Sequence, residues 1–384
     1  MGCRSQPRRG AGGLLALCAL VFAISGCARA RAREIRYAEI LDPAWDAADL
    51  GGKLAPPRGE CLSAAGTYLG ERAVLLPEPL PAPLHDGLAS ILDGLHPVAR
   101  RVLARTRGVW LARRIDRAAA VFLTCQMDLR AGSGGFILLD VSRFPLDQPL
   151  RDAEVPALYW RALAGDPPPT LGAADPLLRA PGSISIPPGE HAARYLALHE
   201  LGHALSLYAG EFALDPERRM QVLDLDGFTG LSWELVTADR RDFPASGDRG
   251  AVSAVIPRRV LDPIAWGRLL DAVGVDANAL APGYALARSR RPASFRARDL
   301  CIAALLLPRA GFVTPTAVRY PTEDFAEMFA HAVLAAEGRI LPSDRVPAGL
   351  PGCAARELAS PYFSSGVASK RVYIERALGL RPKV

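Results

Sequence analysis

A chain of 384 residues that is 50% hydrophobic and 22% charged can bury a sizeable core, which excludes a disordered or low-complexity protein. Its formal charge of +6 includes Arg4, Arg8 and Arg9 at the extreme N-terminus. The remainder is only mildly basic, and nothing in it calls for nucleic acid.

Those three arginines precede an apolar run, Leu14 to Ile24, too short to span a bilayer as a mature helix. Ile24-Ser25-Gly26-Cys27 closes the run. A positive start, an apolar middle and small residues before a cut are the order of a secretory signal. A Cys directly after Ser-Gly resembles the lipobox of bacterial lipoproteins. The resemblance implies a signal peptide over residues 1–26 and lipidation of Cys27. Multiple acyl chains would hold the mature chain stably in a lipid bilayer, in the bacterial cell envelope, facing the periplasm or the exterior. Arg29, Arg31, Arg33 and Arg36 follow the anchor, placed to touch anionic headgroups or to stay solvated. Residues 27–82 read as a lipidated tether and a Pro-rich linker, stiffened by Pro77, Pro79, Pro81 and Pro83. Cys61, Cys125, Cys301 and Cys353 remain after the signal and the anchor are set aside. Their even number suits disulfides in an oxidising compartment, and their wide spacing argues against a Cys-type zinc site.

The main domain is expected over residues 83–384. Leu84 to Arg105 has helical spacing (Leu84, Leu88, Ile91, Leu92, Leu95) with a break at Pro97. Gly108 to Leu111, Ala118 to Cys125 and Phe136 to Val141 read as strands, as does Ser183 to Ile186 before Pro187-Pro188. Gly189 to Tyr208 reads as a helix with Gly202 as its one weak interior position. An insertion follows over about 210–310, with helices near 260–273 and 299–307. Thr322 then reads as the N-cap of a helix stopped by Gly338.

Chemistry concentrates in His199-Glu200-Leu201-Gly202-His203. Residues four apart share one helix face, so two imidazoles can reach a single metal ion. Glu200 stands at the adjacent edge, able to take the proton of a water that zinc has acidified toward ~7. With only six histidines in the chain, a chance HExxH is expected in roughly 1 of 250 chains of this composition. Two histidines on a Leu-rich stretch are also costly without a partner. A catalytic zinc needs a third protein ligand and an open fourth place. No His or Asp lies shortly after the motif, where Ala209-Gly210-Glu211 stands. Glu323, Glu327 and His331 share one face of the later helix that begins Tyr320-Pro321-Thr322-Glu323-Asp324-Phe325-Ala326-Glu327.

An HELGHAL helix followed by an EDFAE helix resembles the gluzincin metallopeptidases. The closest resemblance is to the lethal-factor-like peptidases and related zinc-binding lipoproteins of bacteria. It implies Zn2+ held by His199, His203 and Glu323, with Glu327 supporting the site from behind and Glu200 as general base. The family often has a Tyr seven residues before the ligand Glu, and position 316 here is Thr. Tyr320 is the nearby candidate for stabilising the oxyanion. The expected fold is α+β and zincin-like, with a small mixed sheet packed on the motif helix and a helical insertion before the third-ligand helix. Ser183 to Ile186 is the expected edge strand, a type of edge that binds extended peptides by main-chain pairing. The function expected is zinc-dependent hydrolysis of peptide bonds in a peptide or protein substrate at a membrane surface. The alternative is a non-catalytic zinc-binding envelope lipoprotein that binds a partner or acts as a scaffold.

Overall fold

A computed structural model describes residues 31–47, 50–69, 73–115, 120–125, 134–141, 190–215, 220–223, 227–238, 252–257, 307–314, 317, 321–339 and 361–380. These form a mixed α+β arrangement, with a small four-stranded sheet, two two-stranded sheets and a larger share of helix.

Residues 31–40 form the first helix, α1. Short 3-10 turns at Pro43–Ala47 and Gly51–Lys53 lead to α2 (Glu60–Leu69) and the brief strand β1 (Val74–Leu75). This region is not a tether. Tyr37 and Ile40 on α1, Leu41 just after it, and Cys61, Ala65 and Leu69 on α2 are buried in the main hydrophobic core. Their spacing of three and four marks one apolar face per helix, hidden in the sequence among Ala, Arg and Pro. Arg33 is also buried, at 5% exposure, and is turned inward rather than toward a lipid surface.

The pair α3 (Ala82–Asp93) and α4 (Pro97–Arg105) follows, divided at Gly94 to His96, just before the break that the sequence places at Pro97. Pro97 begins a helix rather than merely ending one, since the N–H that proline lacks has no helical partner in a first turn. The His96 side chain caps α4 by accepting from the Val98 N–H at 3.3 Å. Strands β2 (Gly108–Arg113), β3 (Ala120–Thr124) and β4 (Gly135–Asp140) complete a four-stranded sheet of order β1-β2-β4-β3. β2 and β4 run parallel with Leu111 opposite Leu139, while β3 pairs antiparallel with β4 and sets Phe122 opposite Ile137. Central β4 is buried along its whole length. β3 is an edge strand, with no described neighbour on its outer side.

The long helix α5 (Glu190–Ala209) lies across β3 and β4. It ends at Gly210, whose φ of +74° suits a left-handed cap, with the Glu211 N–H returning to the Ser206 carbonyl at 2.9 Å. The described part of the insertion is mostly strand, with a 3-10 turn at Thr229–Leu231 and a helical turn over 307–310. It holds two hairpins, β5–β6 (Phe212–Asp215, Met220–Leu223) and β7–β8 (Trp233–Ala238, Val252–Pro257). Phe228 and Trp233 from this segment are fully buried, so that part belongs to the body of the fold. The helix expected near 260–273, nearly all of 299–307 and the strand expected at Ser183 to Ile186 lie outside the described residues, as do Cys27, Cys301 and Cys353.

Helix α6 (Pro321–Glu337) begins at proline, which places Thr322 inside the first turn rather than at the cap. Gly338, at φ +71°, ends it as predicted. The last helix, α7 (Ala368–Leu378), packs on α6. Among the described residues no helix is long and apolar enough to cross a membrane.

A disulfide joins Cys61 on α2 to Cys125 at the end of β3, closing a loop with a sequence separation of 64. Restricting a loop of that length in the unfolded chain stabilises a fold by about 2–4 kcal/mol. Replacing both cysteines by serine is expected to lower unfolding stability by that amount, read from urea denaturation. An unchanged midpoint would show that the bond contributes nothing.

Candidate metal centre

Two buried helices build the site. α5 and α6 make the most extensive helix pairing in the fold, and their closest approach is inside the HExxH motif. A Cβ placed on Gly202 would lie 2.7 Å from the Cα of Ala326 and 3.1 Å from its carbonyl oxygen. Only glycine fits there, so the weak helix position in the sequence is the point where the two backbones touch. One turn from this contact, Glu323 of α6 faces His199 and His203 of α5.

The His199 and His203 Nε2 atoms are 3.1 Å apart. Glu323 Oε2 lies 3.1 Å from the first and 3.7 Å from the second. A tetrahedral metal ion with bonds of about 2 Å holds its donor atoms roughly 3.3 Å from one another. The triangle therefore has the size of one face of such a coordination shell, and His199, His203 and Glu323 could hold a metal ion.

The protonation pattern points the same way. Glu327 Oε1 sits 3.2 Å from His199 Nδ1, close enough for an ion pair although off the N–H axis. With a carboxylate at Nδ1, the neutral ring keeps its proton there and turns its Nε2 lone pair toward His203 and Glu323. With His203 in the same tautomer, three acceptors converge on one point, an arrangement that a cation satisfies. Without a metal, a proton serves. Burial disfavours the charged His199 ring, but Glu323 and Glu327 outweigh it and hold the group well above the usual histidine value. Burial likewise opposes ionisation of Glu323, yet the two imidazoles hold it well below the usual carboxylate range.

His199 is 9% exposed at its side chain, whereas His203 and Glu323 are 18% and 24% exposed, so the centre is closed behind and open in front. That leaves room for an exchangeable fourth position. Glu200 is buried beside the triangle. Burial raises its carboxyl, partly offset by His203 and His199 and by the backbone N–H of Phe122. The Phe122 backbone of β3 thus lies beside Glu200. The motif helix is tied to the sheet at the start of β4, where the Tyr208 hydroxyl accepts from the Gly135 N–H at 2.9 Å.

Around the ligands, buried polar contacts fix the ends of both helices. Asp324, next to the ligand Glu323, accepts from the Lys370 ammonium at 2.5 Å and from the Trp233 indole at 2.9 Å. Lys370 also donates to the Gly311 carbonyl at 2.6 Å. Burial pushes Asp324 up and Lys370 down, each restrained by the other. Asp324 pinned on one side sets the rotation of the first turn of α6 and so the direction of Glu323. Beyond the far end of α5, Glu211 accepts from the hydroxyls of Tyr37 at 3.0 Å and Tyr373 at 2.5 Å, joining α1, α5 and α7.

The structure thus brings together His199, Glu200, His203, Glu323 and Glu327, contributed by segments more than a hundred residues apart. Tyr320 and Thr316 lie outside the described residues. Sequence reasoning missed Tyr195, whose spacing of four from His199 and eight from His203 was a legible signal. It also missed Asp324 and Lys370, for which no local signal exists. Comparison with known protein families, curated proteins and solved structures finds no match.

Gly202→Ala should weaken metal binding at least tenfold in a chelator-competition titration, although alanine favours an isolated helix by about 1 kcal/mol. Native affinity in that variant would show that the helix contact does not set the ligand geometry.

Proposed function

We propose that this chain is a zinc-dependent peptidase of gluzincin type, held at a bacterial membrane by an acylated Cys27 and hydrolysing peptide bonds in peptide or protein substrates. The observation that carries the reading is the convergence of His199, His203 and Glu323 on one point beside the buried carboxyl of Glu200. Two imidazoles and one carboxylate in a tetrahedral face are a zinc donor set, and an open fourth position is the mark of a catalytic rather than a structural site.

Bound zinc supplies a Lewis acid and lowers the pKa of water at its open position. The protein's own groups do the rest. Glu200 takes the proton of the attacking water and returns it to the departing amine. Glu327, behind His199, keeps the ring's proton at Nδ1. Tyr320 is assigned to the oxyanion, where a hydroxyl stabilises charge as it develops. β3 runs beside Glu200 with no described neighbour on its outer side, and an extended peptide can add to such an edge as a further strand. Ser183 to Ile186, to which the sequence assigns the substrate-binding edge, lies outside the described residues. The Cys61–Cys125 disulfide suits an oxidising compartment, which supports an envelope location.

The test is Glu200→Gln. The variant is expected to retain its zinc while cleavage of a mixed peptide library falls about 10²–10⁴-fold, the usual contribution of general acid–base catalysis. A zinc-loaded Glu200→Gln chain with native activity would remove Glu200 from the reaction. A zinc-loaded native chain that cleaves no peptide would instead make this a non-catalytic zinc-binding lipoprotein of the envelope.

A further inference from the structure

Glu327 is buried, at 1% exposure, among three aromatic side chains. Tyr195 and His199 lie one turn apart on α5, and His331 lies one turn beyond Glu327 on α6. The Tyr195 hydroxyl is 2.6 Å from Glu327 Oε1 and 2.7 Å from Oε2, straddling the carboxylate. Oε1 faces His199 Nδ1 at 3.2 Å, whereas Oε2 faces His331 Nδ1 at 3.8 Å. His331 directs that nitrogen instead at the Glu327 backbone carbonyl, 2.8 Å away. Its ring meets Tyr195 edge-on with centroids 6.3 Å apart and stacks on Tyr362 at 6.2 Å.

A glutamate has three rotatable bonds, and one contact to His199 off the N–H axis cannot hold its carboxylate still. The hydrogen bond that fixes it, one proton shared between its two oxygens, comes from the Tyr195 hydroxyl. The geometry points to Tyr195 as a positioning residue for the metal centre: its hydroxyl clamps Glu327, and Glu327 in turn sets the tautomer and aim of His199. The assignment rests on the metal-centre reading above. The tyrosine acts from the same helix as both imidazole ligands, at positions 195, 199 and 203 in steps of four, so one face carries the two ligands and the group that orients them. Partners that orient a ligating histidine typically change metal affinity by about 10–100-fold.

The test is a double-mutant cycle on zinc affinity, with Tyr195→Phe, Glu327→Gln and the double variant each titrated against a chromogenic chelator. Tyr195→Phe removes one oxygen and keeps the ring against His199 and His331. It is expected to weaken zinc binding about 10–100-fold and to shift the visible absorption bands of the cobalt-substituted protein. Because the hydroxyl acts through Glu327, the double variant should bind no more weakly than Glu327→Gln alone, a non-additivity that a merely structural tyrosine would not show. Native zinc affinity in Tyr195→Phe overturns the assignment, and so do losses that multiply in the double variant. A native chain that takes up no zinc overturns this assignment and the metal centre together. A native chain that binds zinc while Tyr195→Phe is unaffected overturns this assignment alone.

Discussion

Two imidazoles and a carboxylate gathered at one point are a ready seat for a positive charge, and the described fold is arranged to keep them there. His199, His203 and Glu323 can converge only because α5 and α6 touch at Gly202 and Ala326. A methyl group at that contact would separate the helices and pull the carboxylate away from the imidazoles. The small sheet supports one side of the motif helix, and α7 supports the other side of the ligand helix. The metal centre therefore depends on a helix–helix distance as much as on ligand identity.

Buried charges guard that distance. Asp324 with Lys370 holds the start of α6, Glu337 with Arg194 holds its end, and Glu211 with two tyrosines holds the chain just after α5. Such pairs add little net stability, since desolvation offsets much of their attraction, but losing one partner strands a buried charge at a cost of about 3–5 kcal/mol. Their effect is on orientation. They fix how each helix is rotated, which decides whether Glu323 faces the imidazoles or the core.

The motif itself was legible in the sequence, because HExxH and the later carboxylates follow the period of a helix and need no tertiary knowledge. The α3 and α4 helices, the three main strands and the glycine stop of α6 were legible for the same reason. Residues 31–76 were not. Their apolar positions are few and lie among Ala, Arg and Pro, so composition suggested a tether where spacing would have shown two packed helical faces. The hairpins in the described part of the insertion also went unread, while the helices expected near 260–273 and 299–307 lie almost wholly outside the described residues. Contacts between distant segments left no trace at all. Lys370 beside Asp324 and Tyr37 beside Glu211 join residues that only the folded chain brings together. Gly202 stood out as a weak helix position, but its reason, the backbone of α6, became visible only in three dimensions.

The most direct measurement is the metal content of the mature chain purified without added metal, by elemental analysis, beside His199→Ala and Glu323→Ala. The metal-centre reading predicts one zinc per native chain and almost none in either variant. Zinc absent from the native protein even after resupply, or retained at full occupancy in both variants, would contradict it.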